Sequence, residues 1–181
     1  MVAEVGGRGV SGMEGAVKGI GGHTKPNKGE DVIWLTPRDI LWSLGEFDLD
    51  PCAAPSPRPW ATAKRHIELP EDGLDLPWHG RVWLNPPYDE KLGSWMQRMA
   101  IHRNGIALTF ARTETDVWQR WIWPYACGVL FIAGRLYFCY PDGTRASGNS
   151  GGPSALIAYS ESDAVILKDS AIVGAFVEVK R

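Results

Sequence analysis

An α/β architecture, an open sheet with helices alternating between its strands and a β-hairpin at the C-terminal end, is what this 181-residue sequence predicts. Three observations carry that prediction. Apolar runs at Arg81 to Leu84 and Gly105 to Phe110 have the length of buried strands. Between them Leu92, Trp95, Met96 and Met99 recur at three- and four-residue spacing, the mark of an amphipathic helix reaching His102. Farther on, Arg135 to Tyr140 and Ser154 to Ser160 form a strand pair around the Gly-rich loop 141–153.

The remaining elements follow in order. Residues 1–30 are Gly-rich with scattered charge and predict a flexible lead-in, in which His23-Thr24-Lys25 could act as a mobile arm; the domain proper spans 31–181. Thr36 is a suitable N-cap, Pro37 suits the first helical position, and Ile40, Leu41 and Leu44 give the helix an apolar face that ends at Gly45. Phe47-Asp48-Leu49-Asp50 is a short strand with its two carboxylates on one face, left through the small-residue turn Pro51-Cys52-Ala53-Ala54. Residues 55–70 are proline-rich and then basic, an irregular connection leading to the turn at Glu71-Asp72-Gly73-Leu74. Glu114 to Trp123 predicts another helix, Val129 to Ile132 a strand, and Val165 to Leu167 and Ala175 to Val179 edge strands or outer packing.

Composition narrows the function classes. A hydrophobic content of 44% and a charged content of 22% are globular values, and the length suits one domain with a full core. A net charge of -2 gives no general basic coat, which leaves only a local basic face for nucleic acid. Cys52, Cys127 and Cys139 form no CxxC pair, and the four histidines have no metal-ligand spacing, so neither a disulfide framework nor a metal site is expected. No signal-like or membrane-spanning apolar run occurs, and a cytoplasmic protein is the expectation.

The chemistry concentrates where the strand Val82-Trp83-Leu84 stops at Asn85-Pro86-Pro87-Tyr88. Ligands of open α/β sheets bind beyond the carboxyl ends of strands, and both this turn and Asp50-Pro51-Cys52-Ala53 lie at such ends. The prolines stiffen the turn, so the Asn85 carboxamide and the Pro86 carbonyl form a preorganised pair of acceptors. An exocyclic amine on a planar base offers two N–H donors to such a pair. Binding both favours rehybridisation and aims the lone pair at an electrophile in line, while the Tyr88 ring provides a face for stacking.

These residues resemble a known family. Asn85-Pro86-Pro87-Tyr88 resembles the (D/N/S)PP(Y/F/W) motif of S-adenosylmethionine-dependent amino-methyltransferases. The wider frame "WLTPRDIL", "FDLDPCAAP", "EDGLDLPW" and "VWLNPPYDE", over residues 31 to 160, looks like the small phage-type, Dam-like DNA N6-adenine methyltransferases. The resemblance implies a reduced Rossmann-like domain, S-adenosylmethionine as cofactor and DNA as substrate. It also implies that Asn85 and Pro86 hold the adenine amine, that Pro87 keeps the turn rigid, and that Tyr88 stacks on the flipped base. On the cofactor side it assigns Asp50, Cys52 and Ala53 to the methionine part and ribose, Thr36 and Pro37 to the carboxylate, and Asp72, Gly73 and Leu74 to the cofactor's adenine. Asn85 faces the cofactor as well.

Two departures stand out. "DLDPCAAP" lacks the GxG of larger methyltransferases, and the 21 positions between Asp50 and Asp72 offer no clear strand ending in an acid, which leaves Glu68 or Glu71 for the ribose hydroxyls. Several residues also have plain structural uses: Thr36 as a helix cap, Asp72 in an Asp-Gly turn, and Trp34, Trp42, Trp83 and Trp95 in the core or pocket wall. DNA contacts are expected from Arg112, Arg135 and the loop Asp142 to Asn149 with Arg145. Two other readings share the site: an amino-methyltransferase of RNA or of protein glutamine, and a catalytically inactive nucleic-acid-binding module. Target sequence, strand preference and oligomeric state are not written in the chain.

Overall fold

Seven strands make one sheet in the computed structural model, which describes residues 33–180. The lead-in 1–30 and its His23-Thr24-Lys25 segment lie outside the described residues. In chain order the elements are α1 (Arg38–Leu44), β1 (Leu49–Asp50), β2 (Arg65–His66), β3 (Val82–Leu84), α2 (Leu92–His102) and β4 (Gly105–Phe110). There follow a π-helix (Trp118–Ile122), β5 (Gly128–Ile132), β6 (Ser154–Ala158), α3 (Glu161–Asp169) and β7 (Gly174–Glu178). The strand order is β2-β1-β3-β4-β6-β5-β7, parallel through the first four and antiparallel across each later pairing.

Side chains of the central strands alternate between two apolar layers, as a pleated strand requires. Val82, Leu84 and Ala107 pack with Trp95, Met96, Met99 and Trp118, under α2 and the π-helix. Trp83, Ile106 and Leu108 pack on the opposite face with Ile40, Leu44 and Leu167, under α1 and α3. Covering both faces explains why β3 is an unbroken apolar run with no polar alternation.

The core-forming elements agree with the periodicity. α2 and β4 have the expected limits, α1 ends at Gly45 with φ 77°, and β7 is an edge strand as predicted for Ala175 to Val179. Four expectations need correction. Arg135 to Tyr140 forms no hairpin strand: β6 pairs with β4 and β5, and Cys139 makes isolated bridges to Leu35 and Arg145. Val165 to Leu167 is helical, because Ser160 caps α3 by accepting the Asp163 N–H at 3.1 Å. Thr36 caps nothing; Pro37 takes the cap position of α1 without a side-chain bond. Residues 65–66, expected to be irregular, form β2 beside β1, and the backbone bonds Lys64 N–H to Phe47 and Ile67 N–H to Asp50 extend that pairing.

At the N-terminal ends of the parallel strands one ion pair ties the two halves of the sheet. The Arg81 Nε donates to Asp163 Oδ1 at 2.6 Å, its Nη1 reaches the carbonyls of Leu44 and Glu46, and its guanidinium lies 4.2 Å from the Phe47 ring centre. Asp163 is fully buried and also accepts the Gly105 N–H at 2.8 Å. Asp163→Ala leaves a largely buried guanidinium without its counter-charge and the Gly105 amide unpaired, and is expected to cost about 3–5 kcal/mol. Urea unfolding monitored by tryptophan fluorescence checks this; a change within 1 kcal/mol or so would mean the pair is dispensable.

Candidate active site

The opposite ends of the same strands bring the predicted residues together. β3 emerges at Asn85, β1 at Asp50 and β4 at Phe110, so three neighbouring strand ends open on one side of the sheet. Asn85 is held by both neighbours. Its Nδ2 donates to Thr36 Oγ1 at 3.2 Å, and its main-chain carbonyl accepts the Cys52 thiol at 3.4 Å. The orientation leaves Oδ1 on the Tyr88 side, where the phenol hydroxyl makes a long contact of 3.4 Å that an incoming donor can replace. Pro86 is buried and Pro87 exposed, while Tyr88 is 38% exposed, its ring centre 4.4 Å from that of Phe110. Two packed rings, their planes 34° apart, therefore stand beside a fixed amide oxygen.

Asp50 is 4% exposed, and burial pushes its carboxyl up from the ordinary 3.8 to about 6, against the pull of the Thr62 hydroxyl, the Cys52 N–H and Arg58. Oδ1 accepts the Cys52 N–H at 3.1 Å and Oδ2 the Thr62 hydroxyl at 2.5 Å. Asp48, which the sequence sets on one face with Asp50, lies half-exposed just before β1, bonded to the Arg81 N–H and Lys64. Ala53 spends its N–H on the Ile67 carbonyl at 3.0 Å, so it locks the turn to the extension of β2. His66 joins the same network: its Nε2 accepts from the N–H groups of Thr62 and Ala63 at 3.2 and 3.3 Å, and burial with the nearby Arg58 lowers its pKa.

Asp72-Gly73-Leu74 lies against the Asp50 turn. A Cβ on Gly73 would fall 1.8 Å from the Pro51 carbonyl oxygen, so only glycine allows the two turns to touch. Asp72 Oδ1 closes its own turn on the Leu74 N–H at 2.9 Å, which, with Lys91 and Arg98 nearby, lowers its pKa. Oδ2 meets only the exposed Lys91 ammonium at 3.5 Å and stays accessible. Leu74 packs against the core, and its carbonyl accepts from Arg98.

β2 also supplies what the sequence lacked. Glu68 stands just past its carboxyl end, partly exposed and paired with Arg58, whose Nη2 and Nε also reach the Ala54 carbonyl at 2.7 and 3.0 Å. Glu71 is exposed, its backbone N–H bonded to the Glu68 carbonyl at 3.0 Å. The two-residue strand has no periodic signature, so only the pairing of residues 64–67 with β1 singles out Glu68. Of the candidate DNA contacts, Arg112 stacks over Phe110 at 5.5 Å, beside the Tyr88 ring. Arg145 lies over the Tyr137 ring at 3.9 Å, and Arg135 is exposed.

The family model of DNA N-6-adenine-methyltransferase (Dam) matches residues 22–170. The chain belongs to this family. No curated protein and no solved structure matches it. The Dam-family match spans every turn described above, from Thr36 through Asp50, Asp72 and Asn85 to Phe110, and takes in all of β1 to β6. Among the described residues of this Dam-family chain, no helix is long and apolar enough to cross a membrane.

The burial of Asp50 gives a stability prediction. Its folded value lies above the ordinary 3.8, so protonation favours the fold; that contribution is full below pH 3.8 and is lost as pH rises through about 6. The difference is worth roughly 3 kcal/mol at neutral pH. Asp50→Asn is therefore expected to be more stable than the wild type at pH 8, with the gap closing near pH 4. Urea denaturation at the two pH values measures it, and a gap independent of pH would remove the buried-charge account.

Proposed function

We propose that this Dam-family chain is an S-adenosylmethionine-dependent DNA methyltransferase that methylates the N6 amine of an adenine swung out of the helix. The observation that carries the reading is the orientation of Asn85: its amide nitrogen is engaged by Thr36 and its oxygen faces the Tyr88–Phe110 surface. Asn85 Oδ1 and the Pro86 carbonyl accept the two N6 hydrogens, and Tyr88 carries the base. Because both acceptors are fixed before binding, little reorganisation is needed as the amine gains positive charge. The crevice cannot reach a stacked base, so extrusion is part of the mechanism.

The residues present fit the cofactor. Bound S-adenosylmethionine would supply an electrophilic methyl on a positively charged sulfur. A buried carboxylate with a raised pKa, as Asp50 has, gains from a cation beside it. Cys52 joins the Asp50 turn to Asn85, Thr36 holds the Asn85 amide from the segment before α1, the accessible Asp72 oxygen suits an adenine amine, and Glu68 beyond β2 suits vicinal hydroxyls. Pro37, Ala53, Gly73 and Leu74 shape the walls through backbone contacts. The methylated amine sheds its extra proton to water, so no side-chain base is required.

Incubation with methyl-labelled S-adenosylmethionine and unmethylated DNA, followed by nucleoside analysis, is expected to yield N6-methyl-2′-deoxyadenosine. Asn85→Ala should lower turnover by roughly 100- to 1,000-fold, the typical effect of losing a preorganised polar partner, with S-adenosylhomocysteine affinity held within a few-fold. Glu68→Gln should weaken S-adenosylhomocysteine binding with less effect on turnover at saturating cofactor. Label in RNA or in a protein amide instead would move the substrate elsewhere, and wild-type turnover by Asn85→Ala would end the assignment of that residue.

A further inference from the structure

Beside the crevice lies a group of exposed rings that the mechanism does not use. Trp34 is 44% exposed and packs at 5.5 Å on Tyr140, and Trp42 is 68% exposed with the Arg38 guanidinium 3.9 Å over its ring. Arg145 covers Tyr137 in the same way, also at 3.9 Å. Large aromatic surface left in water costs free energy, and rings carrying guanidinium groups are the usual surface for stacked, unpaired nucleotides.

Local backbone pairing brings Trp34, Tyr140 and Arg145 into one patch, whose Trp34 segment runs on to Thr36 beside the methyl-acceptor turn. Leu35 and Cys139 exchange N–H to carbonyl bonds at 2.9 Å in both directions, and Cys139 also bridges to Arg145. The segments around residues 35, 139 and 145 thus form a small antiparallel patch. Side chains alternate along such a segment, so Trp34 shares a face with Thr36, and Thr36 accepts the Asn85 amide. Two extended residues cover about 7 Å. That is on the order of two nucleotides at the rise of a DNA strand.

The geometry points to Trp34, backed by Tyr140, as the platform that stacks a nucleobase neighbouring the target adenine, with Arg38 and Arg145 taking adjacent phosphates. The inference rests on the chain being a DNA methyltransferase. Asp39 and Asp142 lie on the same segments, so the patch is not strongly basic and stacking supplies most of its contribution. An unpaired neighbour stacks more readily than one still in the helix; single strands, or sites next to an opened base pair, are the favoured substrates.

Trp34 acts on position, not on chemistry, and the test separates the two. With S-adenosylhomocysteine present, fluorescence anisotropy on a fluorescein-labelled adenine-containing single strand should show binding about 10-fold weaker for Trp34→Ala, the loss of one base stack. Tyr140→Ala should move in the same direction, and Trp34→Phe should recover most of the loss. In turnover, the KM for DNA should rise while kcat at saturating DNA and S-adenosylhomocysteine affinity stay at wild-type values. Unchanged strand binding and KM in both alanine variants would overturn the inference. So would normal DNA binding combined with lost self-association in sedimentation, which would make the patch a contact between copies. Wild-type protein that neither binds the strand nor methylates it would overturn the function itself; a methylating wild type matched by Trp34→Ala would overturn this platform alone.

Discussion

Burying β3 on both faces, between β1 and β4, is the constraint from which the rest of the site follows. Val82, Trp83 and Leu84 have almost no exposure, so the strand cannot slip by a residue without moving an entire side-chain set to the other apolar layer. With that register fixed, the next residue, Asn85, must emerge between the ends of two parallel neighbours. The following prolines then prevent the chain from pairing further. Three strands and two helices thereby hold one carboxamide in place, while the Arg81–Asp163 pair ties the far ends of the same strands to α3.

On the proposed reading, the polar groups near the crevice are organised toward binding at the expense of stability. Asp50, Thr62, His66, Arg58 and Glu68 form a connected set around the β1–β2 junction, with two backbone N–H groups received by a neutral His66. An apolar residue at position 50 would avoid burying a charge. A carboxylate kept there is the arrangement expected of a pocket that receives a positive group, since the cost of desolvation is offset only when a cation arrives. Gly73 serves the same end, letting the turn that carries Asp72 touch the Asp50 turn directly.

Sequence periodicity revealed the elements that pack. α2 and β4 could be bounded because each has a one-sided or continuous apolar pattern, and the Asn-Pro-Pro-Tyr turn was visible because its chemistry is contiguous. β2 was hidden: Arg65 and His66 are partly exposed, and their pairing with β1 depends on contacts about 16 residues away. The mistaken hairpin has a related cause. Leu136, Phe138 and Tyr140 alternate as a strand would, yet β6 is claimed by β4 and β5, both more apolar partners. α3 had a readable sign in Ser160 followed three residues later by Asp163, which outweighs the strand preference of Val165 and Ile166. Thr36 could be read in the chain as a cap or a cofactor contact; the fold gives the cap position to Pro37 and sets the Thr36 hydroxyl on the Asn85 amide.

On the proposed reading of this Dam-family chain, aromatic rings near the crevice do part of the work of holding DNA. Tyr88 and Phe110 form one surface at the ends of β3 and β4, and Trp34 with Tyr140 forms another on the patch joined through Thr36 to Asn85. Stacking is indifferent to which base it meets, because every base has a face. On the proposed reading, the acceptor pair at Asn85 and Pro86 selects a base with an exocyclic amine over one that presents a carbonyl there, and the shape of the crevice has to separate adenine from cytosine, whose N4 is also an amine. On that reading the target is chosen by its amine and the crevice that holds it, and its neighbours only weakly by stacking, which is the behaviour expected of a short recognition sequence.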